Sequence, residues 1–156
     1  MAVLLLALVL GAFPSASETA WMRPEAFRLA IGMPRADAVR VLREKGWEIK
    51  PGRDENEIVV DYTGDKALTL AFRKGRLQSV RFELFAMLPG VPKAFEEAKG
   101  QLRKDFGRPK AGIAANSIVI YDGSLPNVML VMSADAKSEL GKRGLGFVAI
   151  RYFDPR

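Results

Sequence analysis

Apolar residues recur along this chain with two periods, one typical of helices and one typical of strands. Between Pro34 and Gly46, Ala38 and Leu42 lie at helical spacing with charged residues around them, which predicts an amphipathic helix. Proline suits the first turn of a helix, and glycine is common just past its end. Residues 93–106 repeat the helical spacing and predict a second helix.

Shorter segments alternate apolar and polar residues one by one, which predicts β-strands. Near the middle of the chain, Val80 and Phe82 would point inward while Arg81 and Glu83 point outward. The same pattern predicts strands over residues 47–50, 57–62, 67–73, 76–85, 117–121, 127–132 and 146–153. Alternation of this kind is typical of antiparallel strands with one face in water.

The elements occur twice in the same order, a helix followed by strands, with a Pro-Gly-Val-Pro break at residues 89–92 between the two series. We therefore predict an α+β fold in which helices pack on one side of an antiparallel β-sheet. The chain would form two tandem helix-plus-meander units, residues 18–88 and 89–156, or one domain that contains both. The pattern leaves open whether the two halves share a single sheet.

A duplication would explain the repeated order. Shifting the sequence by 60 positions superposes Ile58 on Ile118 and Leu70 on Leu130. Such identities also arise by chance between apolar segments, so the matched order of elements is the stronger argument for a repeat.

Residues 1–17 have the pattern of an export signal. An apolar run from Ala2 to Leu10 is followed by Pro14 and by the small residues 15–17, beside which a signal would be cut. No Lys or Arg precedes the run, and the alternative is a membrane anchor, but a spanning helix needs roughly 20 apolar residues. A lipid anchor would need a Cys, which the chain lacks. We expect a periplasmic or secreted protein with no lipid anchor and no transmembrane span.

The chain contains no His and no Cys. Disulfides, thiolate zinc sites and Ser-His-Asp or Cys-His catalysis are therefore excluded. Carboxylate pairs, Ser-Lys pairs and carboxylate-bound metals remain, but no pattern marks them, so we expect binding rather than catalysis, with no cofactor and no metal. The alternatives are an envelope enzyme that uses carboxylate or Ser-Lys chemistry, and a carrier of a small apolar ligand.

The net charge of +6, from 24 Lys and Arg against 18 Asp and Glu, lies entirely beyond the predicted signal. In the cell envelope such charge favours an envelope protein or an anionic envelope polymer as the partner, and not nucleic acid. The alternative is charge that keeps the protein soluble or protects the sheet from edge-to-edge pairing. The candidate binding residues are Arg73, Lys74, Arg76, Arg81 and Arg151 on the strands and Lys137, Lys142 and Arg143 in a glycine-rich loop.

Two other groups of residues are interpreted as structural. Asp54, Glu55 and Glu57 cluster carboxylates that calcium would accept, but the alternating loop motif is missing, so we expect a solvated turn. Trp21 and Trp47 flank the first helix, and large aromatic residues in such positions usually close a core.

Residues 31–42 read Ile-Gly-Met-Pro-Arg-Ala-Asp-Ala-Val-Arg-Val-Leu. This stretch resembles the Gly-Met-Thr-led helix of the SmpA/OmlA family and of the wider group of β-lactamase-inhibitor-like domains. Leu102 and the Phe-Gly-Arg-Pro at residues 106–109 look like the end of the same helix in a second copy. The chain departs from the pattern because Pro34 replaces Thr, no Gly directly follows Leu42, and no lipidated Cys is present.

The resemblance implies a helix followed by a strand meander, and a role in holding proteins as an assembly factor or as an inhibitor of exported enzymes. Together with the composition, it leads us to expect a non-catalytic exported binding or assembly module that acts through its sheet surface and its loops.

Overall fold

A computed structural model describes residues 19–113, 118–121 and 126–156, so the predicted export signal at residues 1–17 lies outside the described residues. The elements in chain order are α1 (Arg35–Glu44), β1 (Ile49–Pro51), β2 (Glu57–Thr63), β3 (Lys66–Arg73), β4 (Arg76–Met87), α2 (Val91–Phe106), β5 (Ala111–Ile113), β6 (Ile118–Tyr121), β7 (Asn127–Ser133), α3 (Glu139–Lys142) and β8 (Leu145–Phe153). Single turns of 3-10 helix lie at Pro24–Phe27 and Leu88–Gly90.

The eight strands form one antiparallel sheet with the order β1-β2-β3-β4-β8-β7-β6-β5. Residues 18–88 and 89–156 each contribute a four-stranded meander, and the meanders join where β4 pairs with β8. The two halves therefore share a single sheet, and the strand order is symmetric about the β4–β8 pairing.

The hydrophobic core lies on one face of this sheet. Alternate strand residues such as Leu70, Phe82 and Ile150 are fully buried there, and they form one cluster with Leu42 of α1 and Phe95 of α2. The α+β fold with helices packed on one side of an antiparallel sheet is thus confirmed.

Aromatic side chains fill the centre of the core. The ring centroid of Phe82 lies 5.7 Å from that of Trp21, 5.3 Å from that of Phe27 and 6.0 Å from that of Tyr152. Trp47 packs on Phe27 at 4.7 Å. The two tryptophans close the core at its edge, as the sequence predicted.

Local sequence explains the helix ends. α1 begins directly after Pro34, whose φ of −60° suits a helix start, and it ends before Gly46, whose φ of +77° favours glycine. α2 begins at Val91, earlier than predicted, because Pro92 occupies its first turn, where a missing N–H costs nothing.

Two elements of the second half were missed. β5 is too short to show an alternating pattern. The loop before β8 contains α3 instead of an open hairpin loop, because the Oγ atom of Ser138 accepts a hydrogen bond from the amide of Gly141 at 2.9 Å. That bond caps a single helical turn.

The shift of 60 residues that aligns the two halves is wrong by one residue at β6, where Val119 and not Ile118 corresponds to Ile58. Ile58 lies opposite Leu70 in the first hairpin, but Leu130 lies opposite Val119 in the second hairpin. The physical reason is a bulge in β2 between residues 61 and 63, which adds one residue to the first hairpin.

The position of Phe82 gives a first prediction. Replacing this fully buried ring with Ala should lower the free energy of unfolding by about 3–5 kcal/mol, because the substitution leaves a cavity among its aromatic neighbours. Phe85 lies on the same strand and is half-buried on the opposite face, so Phe85→Ala is the control and should cost about 1 kcal/mol. Equal losses in urea denaturation would contradict the assigned faces.

Tyr152 gives a prediction for alkaline pH. Its buried hydroxyl donates to the carbonyl oxygen of Met22 at 3.0 Å, and burial raises the pKa of Tyr152 far above the usual value of about 10. Above pH 10 the tyrosine ionises in the unfolded chain but not in the folded protein, so the unfolded state is favoured as pH rises. Tyr152→Phe should be less stable at pH 7 but should lose less stability between pH 9 and 11. Parallel urea titrations of the wild type and the variant measure the difference.

Candidate functional site

Both long helices pack against one face of the sheet, and we call the opposite face the open face. Its residues are the strand positions that alternate with the core positions. A row across the strands of this face runs Val59, Thr69, Arg81, Arg151 and Met129, each in register with the next. The row runs across five strands, and its two arginines lie at the centre of the sheet, where β4 pairs with β8.

Arg81 and Arg151 are directly opposite each other in that row. Directly opposed residues of an antiparallel pair have Cβ atoms about 4.5–5.5 Å apart, and like charges in such positions are destabilising. The central strand pair therefore carries a charge arrangement that does not favour folding.

The two guanidinium groups lean toward opposite ends of the strands. Arg81 forms an ion pair with Glu83, and its Cζ atom lies 6.0 Å from the ring centroid of Phe147. The Cζ atom of Arg151 lies 5.5 Å from the ring centroid of Phe153. Each cation lies over an aromatic ring, which is weakly favourable, and the divergence reduces the repulsion between the two cations.

The two arginines differ in their partners. Arg81 is paired with a carboxylate, and its side chain is 40% exposed. Within the described ranges Arg151 forms no ion pair, and its guanidinium donates only a long hydrogen bond of 3.4 Å to the Oγ atom of Ser79. Arg151 is thus the cation of this pair that an external anion reaches most readily.

A groove of about 510 Å³ runs along the open face beside these arginines. It is lined by Pro51, Gly52, Arg53, Glu57, Val59, Thr69, Ala71, Ser79, Arg81, Glu83 and Arg151. The small side chains among them form its floor, and three arginines and two glutamates supply its charge. We call this the open-face groove.

Apolar side chains continue the open face on the other side of the arginines. Phe85 and Phe147 meet edge to face with their centroids 6.4 Å apart. Phe153, Met129 and Val131 are half-exposed on the same face. Aromatic residues, Met and Arg are the types that are enriched in protein interfaces.

Arg73, Lys74 and Arg76 lie apart from the groove, at the turn between β3 and β4. They line a separate cleft of about 350 Å³. Arg76 donates to the carbonyl oxygen of Gly32 at 2.9 Å, and Arg73 donates to the carbonyl oxygen of Arg156 at 3.2 Å. These side chains are thus partly occupied in holding the chain at this end of the sheet.

Asp154 and Arg156 also line this cleft and form an ion pair at 3.1 Å. The hydrogen bond from the Arg156 side chain lowers the pKa of Asp154. The cleft therefore contains a carboxylate as well as its cations.

Lys137, Lys142 and Arg143 lie at the other end of the sheet, around α3. Lys142 pairs with Glu139 at 2.6 Å, and all three cations are exposed. Ser138 is the cap of α3, so its hydroxyl already has a structural role. The eight predicted cations therefore fall into three places, and only Arg81 and Arg151 come together on the open face.

The turn before β2, which carries the acidic cluster, is held by hydrogen bonds. Asp54 accepts the amide of Asn56 at 2.7 Å, and the carbonyl oxygen of Glu55 accepts a bond from Arg35 at 2.6 Å. Across residues 19–113, 118–121 and 126–156 no group of three acidic, His or Cys side chains is placed to hold a metal ion.

Sequence reasoning missed Arg53, Phe147 and Phe153. The two phenylalanines stand at alternate positions of β8 with Arg151, so the period-two pattern already placed all three on one face. Arg53 had no such signal, because it reaches the groove from the turn after β1.

Comparison with protein-family models, with curated proteins and with solved structures finds no significant match to this chain. In the part of the chain that the structure describes, no helix is long and apolar enough to cross a membrane.

A double-mutant cycle tests the electrostatics of this face. Arg81→Gln and Arg151→Gln, alone and combined, should show an unfavourable coupling of about 0.2–1 kcal/mol in the free energy of unfolding, because the two cations are opposed. Salt should weaken this coupling. The matched cycle of Arg81→Gln with Glu83→Gln should give a coupling of the opposite sign. A favourable coupling between the two arginines would contradict their placement.

Proposed function

We propose that this protein is a non-catalytic exported binding or assembly module that holds an anionic partner against the open face of its sheet. The observation that carries the proposal is the direct opposition of Arg81 and Arg151 across the central strand pair. A partner that places anionic groups beside both arginines relieves their repulsion on binding.

The surroundings of the two arginines support binding. Guanidinium groups bind carboxylates and phosphates through two parallel hydrogen bonds, which gives direction as well as charge. Arg151 is exposed and has no carboxylate partner among the described residues. The open-face groove beside it is lined by residues of β2, β3, β4 and β8, so a partner that fills it contacts several strands.

Export and the choice of partner rest on the sequence. The apolar leader at residues 1–17 and the absence of Cys favour release into the periplasm or the medium without a lipid anchor. The resemblance of residues 31–42 to the SmpA/OmlA family favours a module that holds proteins. An envelope protein and an anionic envelope polymer both have the required charge.

Polyglutamate titrated into the isotope-labelled protein tests this proposal, with binding followed by NMR through the chemical shifts of the backbone amides. Shifts should concentrate on β4 and β8, and Arg151→Gln should weaken binding by roughly tenfold, because it removes a charged hydrogen bond. Arg143→Gln is the matched control, since it removes the same charge from the exposed loop at the far end and should have little effect. Equal weakening by both substitutions would indicate diffuse attraction and would overturn the proposal.

A further inference from the structure

The open face combines cations with apolar side chains and one internal carboxylate. From this combination we infer that the partner is an acidic polypeptide whose carboxylates lie beside apolar side chains, and that Glu83 competes with the partner for Arg81. The inference rests on the proposed function, because it names the partner of the same surface.

The apolar part of the open face favours a polypeptide over an anionic envelope polymer as the partner. Phe85, Phe147 and Phe153 are only half-buried, and they continue directly from the arginines. A phosphate or sugar polymer brings little apolar surface to cover these rings, whereas a polypeptide with Leu, Phe or Tyr covers them. Arg and aromatic residues, Phe among them, are enriched in protein interfaces.

The arginines beside these rings are suited to the carboxylates of a polypeptide. The Cζ atoms of Arg81 and Arg151 lie over the rings of Phe147 and Phe153, 6.0 and 5.5 Å from the centroids, so each cation lies directly beside apolar surface. A polypeptide carboxylate accepts two parallel hydrogen bonds from such a group while the apolar side chains next to it cover the ring.

Glu83 occupies the position that such a carboxylate would take on Arg81. The two residues stand two positions apart on β4, point to the same face and form an ion pair, and the side chain of Glu83 is only 19% exposed. A partner must displace this internal carboxylate to reach Arg81, so Glu83 lowers affinity for any acidic ligand.

The experiment compares three probes on the full chain: a random copolymer of glutamate and tyrosine, polyglutamate of the same charge, and inorganic polyphosphate. The copolymer should bind at least about tenfold more tightly than either other probe. Phe147→Ser should remove this preference and should lower the free energy of unfolding only by the small amount expected for Phe85→Ala, because the ring is half-exposed, so the variant stays folded.

The Glu83 variant tests the competition. Glu83→Gln should tighten binding of the copolymer by about two- to fivefold, the factor expected for removing a partly exposed ion pair. Glu139→Gln is the matched control, since it breaks the Lys142 pair at the far end with the same change in net charge and should leave affinity unchanged. Equal tightening by both variants would overturn the role of Glu83.

The outcomes separate the inference from the proposed function. If polyphosphate binds as tightly as the copolymer and both depend on Arg151, the polypeptide partner is wrong while the open-face function stands. If no probe depends on Arg81 or Arg151, the proposed function fails and the inference fails with it.

Discussion

The antiparallel pairing of β4 with β8 is the contact on which the rest of this structure depends. It joins two four-stranded meanders into one sheet, since each meander on its own ends at one of these strands. It also brings together the core residues Phe82 and Ile150, which are directly opposite each other. The register that places this pair in the core places Arg81 against Arg151 on the other face, because strand side chains alternate.

Periodicity in the sequence was enough to predict the local elements. The spacing of Ala38 and Leu42 located α1, and the alternation around Phe82 located β4 and its buried face. Strand order and register were not predictable, because they depend on pairing between residues far apart in the chain. The bulge in β2, which shifts the offset between Ile58 and its counterpart in β6, has no signature in the spacing of apolar residues.

The candidate site also depends on strand pairing that the sequence pattern does not contain. Sequence alternation assigned Arg81 and Arg151 to outward positions, but it gave no reason to place them side by side, and it grouped them with cations that lie at both ends of the sheet. Only the β4–β8 register selects this pair. An opposed pair of cations on the strands that hold the sheet together opposes stability, and natural proteins commonly retain such costs where binding requires them.

The most direct test of this account is the pattern of backbone nuclear Overhauser effects between β4 and β8. We expect cross-strand effects that pair Arg81 with Arg151 and Glu83 with Ala149. Effects that pair Arg81 with Ile150 instead would contradict it, because a shift of one residue turns Arg151 toward the helices and removes the pair of arginines from the open face.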